Sequence, residues 1–161
     1  MKAITAILAI LTISLFAGCA TEGTYAITGL GSSEGDAGAT VGKVINENVE
    51  VGITAISYNI EDNHDTYAVG PYAAYLIKDP IPAEVTADWQ PFAGGALLCN
   101  FDDGQGEFVP QLFGGVIYKP QDVLSPVYIM EKQFPSGAVN SPDIMDRGED
   151  LYHWFGLRYR F

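Results

Sequence analysis

The sequence predicts an all-β fold: an eight-stranded antiparallel up-and-down transmembrane β-barrel, preceded by a cleaved N-terminal signal segment. Three observations carry this expectation. A short apolar leader follows a single lysine at the start of the chain. Downstream lie eight strand-like runs, the first weakly patterned and the clearest alternating apolar and polar residues with a period of two, as a strand with two unlike faces requires. The last of these runs stops on an aromatic residue, Phe161.

The leader is read first because it must be set aside. Lys2 precedes an apolar run from Ala3 to Ala17, the charged and apolar regions of a secretory signal. The run is shorter than the roughly 20 apolar residues of a spanning helix. It closes on Leu15-Phe16-Ala17-Gly18-Cys19, which resembles the lipobox of bacterial lipoproteins. There, small residues precede a cysteine that is acylated and becomes the new N-terminus. Phe16 stands where that family usually has leucine, and cleavage after Ala20 is the alternative. The expected division is a lipoprotein-type signal over 1–18, acylation at Cys19, and a barrel domain over 20–161. Ala20, not aspartate, follows the cysteine, which the resemblance associates with sorting to the outer membrane.

Residues 20–161 amount to one domain. The net charge is −12, with 8 basic against 20 acidic residues. That balance argues against nucleic acid, whose phosphates attract clustered Lys and Arg. The acidic residues fall mostly between the apolar runs, as in solvated loops. Of the two cysteines, Cys19 and Cys99, the first is acylated or removed, so no internal disulfide is expected, and Cys99 reads as a small wall residue. No second apolar run is long enough to span as a helix. A membrane-embedded mature chain must therefore be a closed sheet that satisfies its own backbone groups.

The runs follow in order. Thr24 to Ser32 is Gly-rich, and Ala39 to Ile45 is short. Asn46-Glu47-Asn48 is an Asx-type turn. Val49 to Asn59 places Val49, Val51, Ile53 and Ala55 opposite Glu50, Gly52, Thr54 and Ile56. Thr66 to Ile77 puts Tyr67, Val69, Pro71, Ala73, Tyr75 and Ile77 on one side. Glu84 to Asn100, Glu107 to Tyr118, Val123 to Gln133 and Asp150 to Phe161 complete the set. Connections at 46–48, 78–83 and 119–122 read as compact turns, and those at 33–38, 61–65, 101–106 and 134–149 as polar loops. Outer-membrane barrels show this asymmetry, with short periplasmic turns and longer outer loops. An even strand count puts both barrel termini on the periplasmic side, where an acyl group on Cys19 would enter the inner leaflet.

Three segments carry a family resemblance: Trp89-Gln90-Pro91-Phe92-Ala93-Gly94-Gly95, then Pro110-Gln111-Leu112-Phe113-Gly114-Gly115-Val116-Ile117-Tyr118-Lys119, then Gly156-Leu157-Arg158-Tyr159-Arg160-Phe161. They resemble the second half of OmpA-type and opacity-type eight-stranded outer-membrane barrels. The resemblance implies the fold and a Gram-negative cell-envelope location, and no particular activity. The alternating row Phe155, Leu157, Tyr159 and Phe161 resembles the C-terminal strand that the bacterial barrel-assembly machinery recognises. Two features sit awkwardly. Pro71, Pro91 and Pro110 each remove a ladder hydrogen bond unless placed at a bulge or strand end, and the first two runs are thin for strands of about 9–11 residues.

The inward faces are expected to carry Glu50, Asp88, Gln90, Gln111, Arg158 and Arg160. Buried charges must be paired, so Arg158 and Arg160 are expected to bridge to Glu50 and Asp88 in a structural cluster. Wide aqueous channels need about 16 strands, which argues against a conducting pore. His64 sits in an acidic loop without a spaced ligand partner. Asp102 to Glu107 lacks the ligand spacing of a calcium hand. Neither a metal nor a cofactor is expected, although Asp143, Asp146, Glu149 and Asp150 are of the kind that bridge divalent cations to lipopolysaccharide. His153 is a strand histidine that could serve as a general base. However, Phe155 occupies the next same-face position, where a lipid-modifying barrel enzyme would place serine. Tyr67, Tyr75, Trp89, Tyr118, Tyr159 and Phe161 are expected to form interfacial girdles. The expected function is a non-enzymatic structural or surface-interaction role, in contact with outer-membrane lipid and lipopolysaccharide and with any outside partner at the loops. The alternatives are a soluble lipocalin-like lipoprotein holding a hydrophobic ligand and a membrane lipid-modifying enzyme. A lipocalin turns its apolar side chains inward and a membrane barrel turns them outward.

Overall fold

The computed structural model describes residues 23–31, 36–59, 65–78, 88–102, 105–120, 122–135 and 151–161. The leader with Cys19, His64, Asp143, Asp146, Glu149 and Asp150 lie outside the described residues.

Eight strands follow one another: β1 (Thr24–Gly31), β2 (Ala37–Asn46), β3 (Val49–Asn59), β4 (Asp65–Leu76), β5 (Trp89–Asp102), β6 (Gln105–Tyr118), β7 (Leu124–Gln133) and β8 (Tyr152–Arg160). Each pairs antiparallel with its sequence neighbours, and β1 pairs with β8, so the sheet closes as a barrel without an edge. Every strand junction is local except that closure.

The register sets the shape of the barrel. Val123 accepts a backbone hydrogen bond from Arg160. From Arg160, successive partners are Tyr25, Gly42, Gly52, Tyr72, Ala96, Gln111 and Gln133. One circuit thus starts at residue 123 and returns to the same strand at 133, a stagger of ten residues. For eight strands this corresponds to a strand tilt of about 40° and a radius of roughly 8 Å, leaving an interior that side chains can fill.

The β2–β3 hairpin shows how local chemistry sets the phase. Asn46 Oδ1 accepts hydrogen bonds from the backbone N–H of Asn48 and Val49, each at 2.9 Å, and a register shift between Val44 and Asn46 accompanies the turn. That places Glu50, Gly52, Thr54, Ile56 and Tyr58 inside. Their partners in the alternation face outward, with Ile53 at 60 % exposure.

The prolines fall where a missing N–H does least harm. In an antiparallel ladder a residue's N–H and C=O point to the same neighbouring strand. The Pro91 carbonyl accepts from Ile77 and that of Pro110 from Phe134, each just past the end of its strand, so the absent donors fall at strand ends. Pro71 is different. The β4–β5 partners skip from Val69 to Tyr72, and Gly70 beside it sits so close to the Leu97 carbonyl that no Cβ fits there.

One boundary corrects the sequence reading. The fifth strand begins at Trp89, not Glu84, so β4 and β5 are joined by the longer segment 77–88. Asp88 is therefore a turn residue with an exposed side chain, not an inward strand residue. Its carbonyl accepts from the Lys119 N–H.

Candidate functional site

The inner wall holds two polar layers. Nearer the turns, Glu50 and Arg158 form a buried ion pair. The Arg158 guanidinium lies 4.2 Å from the centroid of the Tyr25 ring, and the Tyr25 hydroxyl meets that of Tyr72. The backbone makes room for these rings with glycine. A Cβ at Gly42 would strike both tyrosine hydroxyls, and one at Gly52 would strike the Val41 carbonyl and the Tyr72 ring. Arg160, one inward step beyond Arg158, is half-buried near the mouth. Of the four charges expected to cluster here, Glu50 and Arg158 are joined and Asp88 is not among them. A buried charge whose partner is lost is strongly destabilising, which is why this pair, once inside, must stay paired.

Nearer the loops, the Gln133 amide donates to the Tyr58 hydroxyl. Asn100 Nδ2 donates to Gln133 Oε1 at 3.1 Å, and the Tyr58 hydroxyl donates to Glu131 Oε1 at 3.5 Å. Asn100 and Gln133 are fully buried. Trp154 packs edge-on against Tyr58 at 6.2 Å between centroids. Asp36 and Glu107 add two more buried carboxylates. Between the layers lies a cavity of about 60 Å³ whose walls include Glu50, Thr54, Gln111 and Glu131. That is room for a few water molecules.

Sequence reasoning missed the Tyr25–Tyr72 contact and the layer of Tyr58, Asn100, Glu131 and Gln133. The one available signal was the inward alternation of β7, where Glu131 and Gln133 share a face with Val127 and Ile129. Only the register shows that this face meets Tyr58 from β3.

The outer wall is apolar. Ile53, Val69, Leu97, Leu112, Phe155 and Leu157 are all more than 40 % exposed. Aromatic residues ring both ends. Tyr75, Trp89, Tyr118, Tyr159 and Phe161 lie toward the turns, with Trp89 packed on Tyr118 and Tyr159 on Phe161, each pair at 4.8 Å. Tyr67, Phe101, Phe108 and Phe134 lie exposed toward the loops. The tilt and stagger put about 25 Å between the two rings along the barrel axis, the height of the apolar band of an outer-membrane barrel. This arrangement is the reverse of a lipocalin's, and the interior cavity is too small for a lipid.

His153 stands on this outer wall. Its Nδ1 hydrogen-bonds the Tyr128 hydroxyl at 2.6 Å, and the two rings stack at 6.0 Å with planes 20° apart. Among the described residues it meets no serine or carboxylate, and no group of three His, Cys, Asp or Glu could hold a metal ion.

No family model matches the chain, and no curated protein matches it in sequence. Solved structures match in fold. The N-terminal β-barrel domain of Pseudomonas aeruginosa OprF aligns with a TM-score of 0.64 at 12 % identity, covering 87 % of this chain and 98 % of that one. A de novo designed transmembrane β-barrel aligns with a TM-score of 0.56 at 11 % identity, covering 88 % and 98 %. Neisserial surface protein A aligns with a TM-score of 0.52 at 16 % identity, covering 86 % and 94 %. At these identities the likeness is one of fold, and the fold is that of small eight-stranded outer-membrane barrels.

Proposed function

We propose that this chain is a non-enzymatic barrel protein of the bacterial outer membrane, acting through its wall and its loops and not through its interior. The observation that supports this best is the orientation of the two faces. An apolar wall bounded by two aromatic rings encloses an interior lined by polar side chains, with Glu50 paired to Arg158 and Tyr58, Gln133 and Asn100 hydrogen-bonded. Such a wall in water would expose a hydrophobic patch far larger than soluble monomers carry. In lipid it is the stable arrangement.

In this reading the turns face the periplasm and the loops face outward, with both barrel termini periplasmic. Acylation at Cys19 would add a second anchor a few residues before β1. The outward row Phe155, Leu157 and Tyr159, with Phe161, would be what the assembly machinery reads. The filled interior supports a structural or surface role over conduction, and the polar loops are the surfaces offered to lipopolysaccharide and to outside partners.

The test is gel mobility of the detergent-purified protein, boiled and unboiled. A closed membrane barrel resists SDS until heated, so the two samples should run apart. Identical mobility, with a leaderless Cys19→Ala protein soluble in water, would reject the membrane reading. Incorporation of labelled palmitate, lost in Cys19→Ala, tests the lipid anchor separately.

A further inference from the structure

We infer that the cavity between the two polar layers is a binding site for a small cluster of water molecules, held by Gln111 of β6 and Glu131 of β7. The site follows from closure of the barrel and holds whatever the leader and the loops do.

The register brings the two side chains together. Gln111 pairs with Gln133, and Phe113 with Glu131, across β6–β7. Glu131 therefore stands one inward step from the position opposite Gln111. Both are buried, at 3 % and 5 % exposure, and both line the cavity, as do Glu50, Thr40 and Thr54. Every lining residue belongs to a strand. Thr40 donates to Thr54 Oγ1 at 2.9 Å, which leaves the Thr54 hydroxyl its own proton to give.

Gln111 supplies the observation that points to a ligand. Its Nε2 is buried and meets no acceptor among the described residues. A donor taken out of water without a new acceptor is costly. The carboxylates supply the acceptors. Glu50 is paired with Arg158, and Glu131 accepts from Tyr58. Each carboxylate accepts at about four positions, so both can take a further bond.

The chemistry of the wall selects water. The volume of about 60 Å³ admits on the order of two to four water molecules. An anion would face two carboxylates. A metal ion would face the Gln111 N–H, and among the described residues no group of three His, Cys, Asp or Glu could hold one. An apolar guest would suit Ile27, Ile56, Phe113 and Ile129 but leave the Gln111 donor unmet. Water accepts from Gln111 and Thr54 and donates to Glu131 and Glu50, which meets the roughly two to four polar partners a buried water needs. Packed side chains close the cavity at both ends, Phe92 and Ile117 toward the turns and Leu98 and Trp154 toward the loops. The cluster thus solvates two buried carboxylates from within and exchanges slowly with bulk water.

The experiment is water-to-protein NMR on the mature protein in detergent, with labelled isoleucine methyls and glutamine side-chain amides, recorded with and without xenon. In the parent, cross-relaxation from water should reach the Gln111 amide and the Ile56 and Ile129 methyls, and xenon should leave those methyl shifts unchanged. Gln111→Met removes the donor at nearly the same size. The water signals at the two methyls should then be lost, and xenon-induced shifts should appear there. A parent with no water signal at Gln111, or with xenon-shifted methyls, overturns the site. So does a Gln111→Met protein that keeps the parental water signals. The parent spectra decide between a wet and a dry cavity even where the variant does not fold. Boiled and unboiled gels of the parent read the membrane barrel separately. A mobility shift with a dry cavity removes this site alone, and an unshifted gel removes the membrane reading.

Discussion

Glu50 and Arg158 are 108 residues apart in the chain and form one ion pair inside the barrel, with side chains 4 % and 6 % exposed. They come from β3 and β8, which are not neighbours in the sheet. The pair therefore spans the lumen and ties opposite walls together, and its consequences are asymmetric.

Removing one partner leaves the other charged and buried. Glu50→Ala or Arg158→Ala should each destabilise the barrel by about 3–5 kcal/mol. Glu50→Gln with Arg158→Met should come within about 1 kcal/mol of the parent or exceed it. Urea unfolding in lipid vesicles, followed by tryptophan fluorescence, reads both. A double variant whose loss equals the sum of the two single losses would show that the pair is not a coupled unit.

The inner glycines under the tyrosines should resist even one methyl group. Gly52→Ala forces a Cβ against the Val41 carbonyl and the Tyr72 ring, and should cost about 1–3 kcal/mol as overpacking. Gly52→Ala combined with Tyr72→Leu should recover the part due to the ring. Unfolding midpoints of the two variants decide this, and parental stability in the single variant would mean that the wall yields easily.

Gln133 joins Tyr58 to Asn100 near the loops. Gln133→Leu should cost about 1–3 kcal/mol, because it removes the acceptor of the buried Asn100 amide and the donor to the Tyr58 hydroxyl. The loss should be local. Amide exchange should rise at the loop-side halves of β3, β5 and β7, while amides around Glu50 and Arg158 keep their protection. A uniform rise would indicate that the two polar layers unfold as one.

Ile53 separates lipid from water as the surrounding medium. It is 60 % exposed, and in an aqueous protein Ile53→Arg would change stability by no more than about 0.5 kcal/mol. On the lipid face near the midplane it should cost about 2–4 kcal/mol. A neutral result in vesicles would contradict the assignment of this wall to the membrane.

Much of this architecture was legible in the residues. Period-two alternation depends only on the backbone's own geometry, so Val49 to Asn59 matches β3 at both ends, and the inward assignment of Glu50, Gln111 and Arg158 needed no partner strand. The start of β5 was less legible. Glu84 to Asp88 alternates as a strand does, yet Asp88 lies in a turn, and alternation alone carries no signal of where pairing begins. The prolines looked misplaced because a sequence does not show which neighbour a residue's N–H faces. Pro91 and Pro110 prove to sit where that neighbour has already ended.

The sequence by itself determined the number of strands, their two faces and the apolar character of the outer one, because these follow from side-chain chemistry taken two residues at a time. The tertiary structure alone decided the stagger of ten around the barrel, and with it which inward residues meet. That choice brings Arg158 to Glu50 while Asp88 stays in an exposed turn, and brings Tyr25 to Tyr72 and Tyr58 to Gln133. The physical reason is closure. A sheet that must bond its first strand to its last has one register for every pair at once, and no single strand contains that condition.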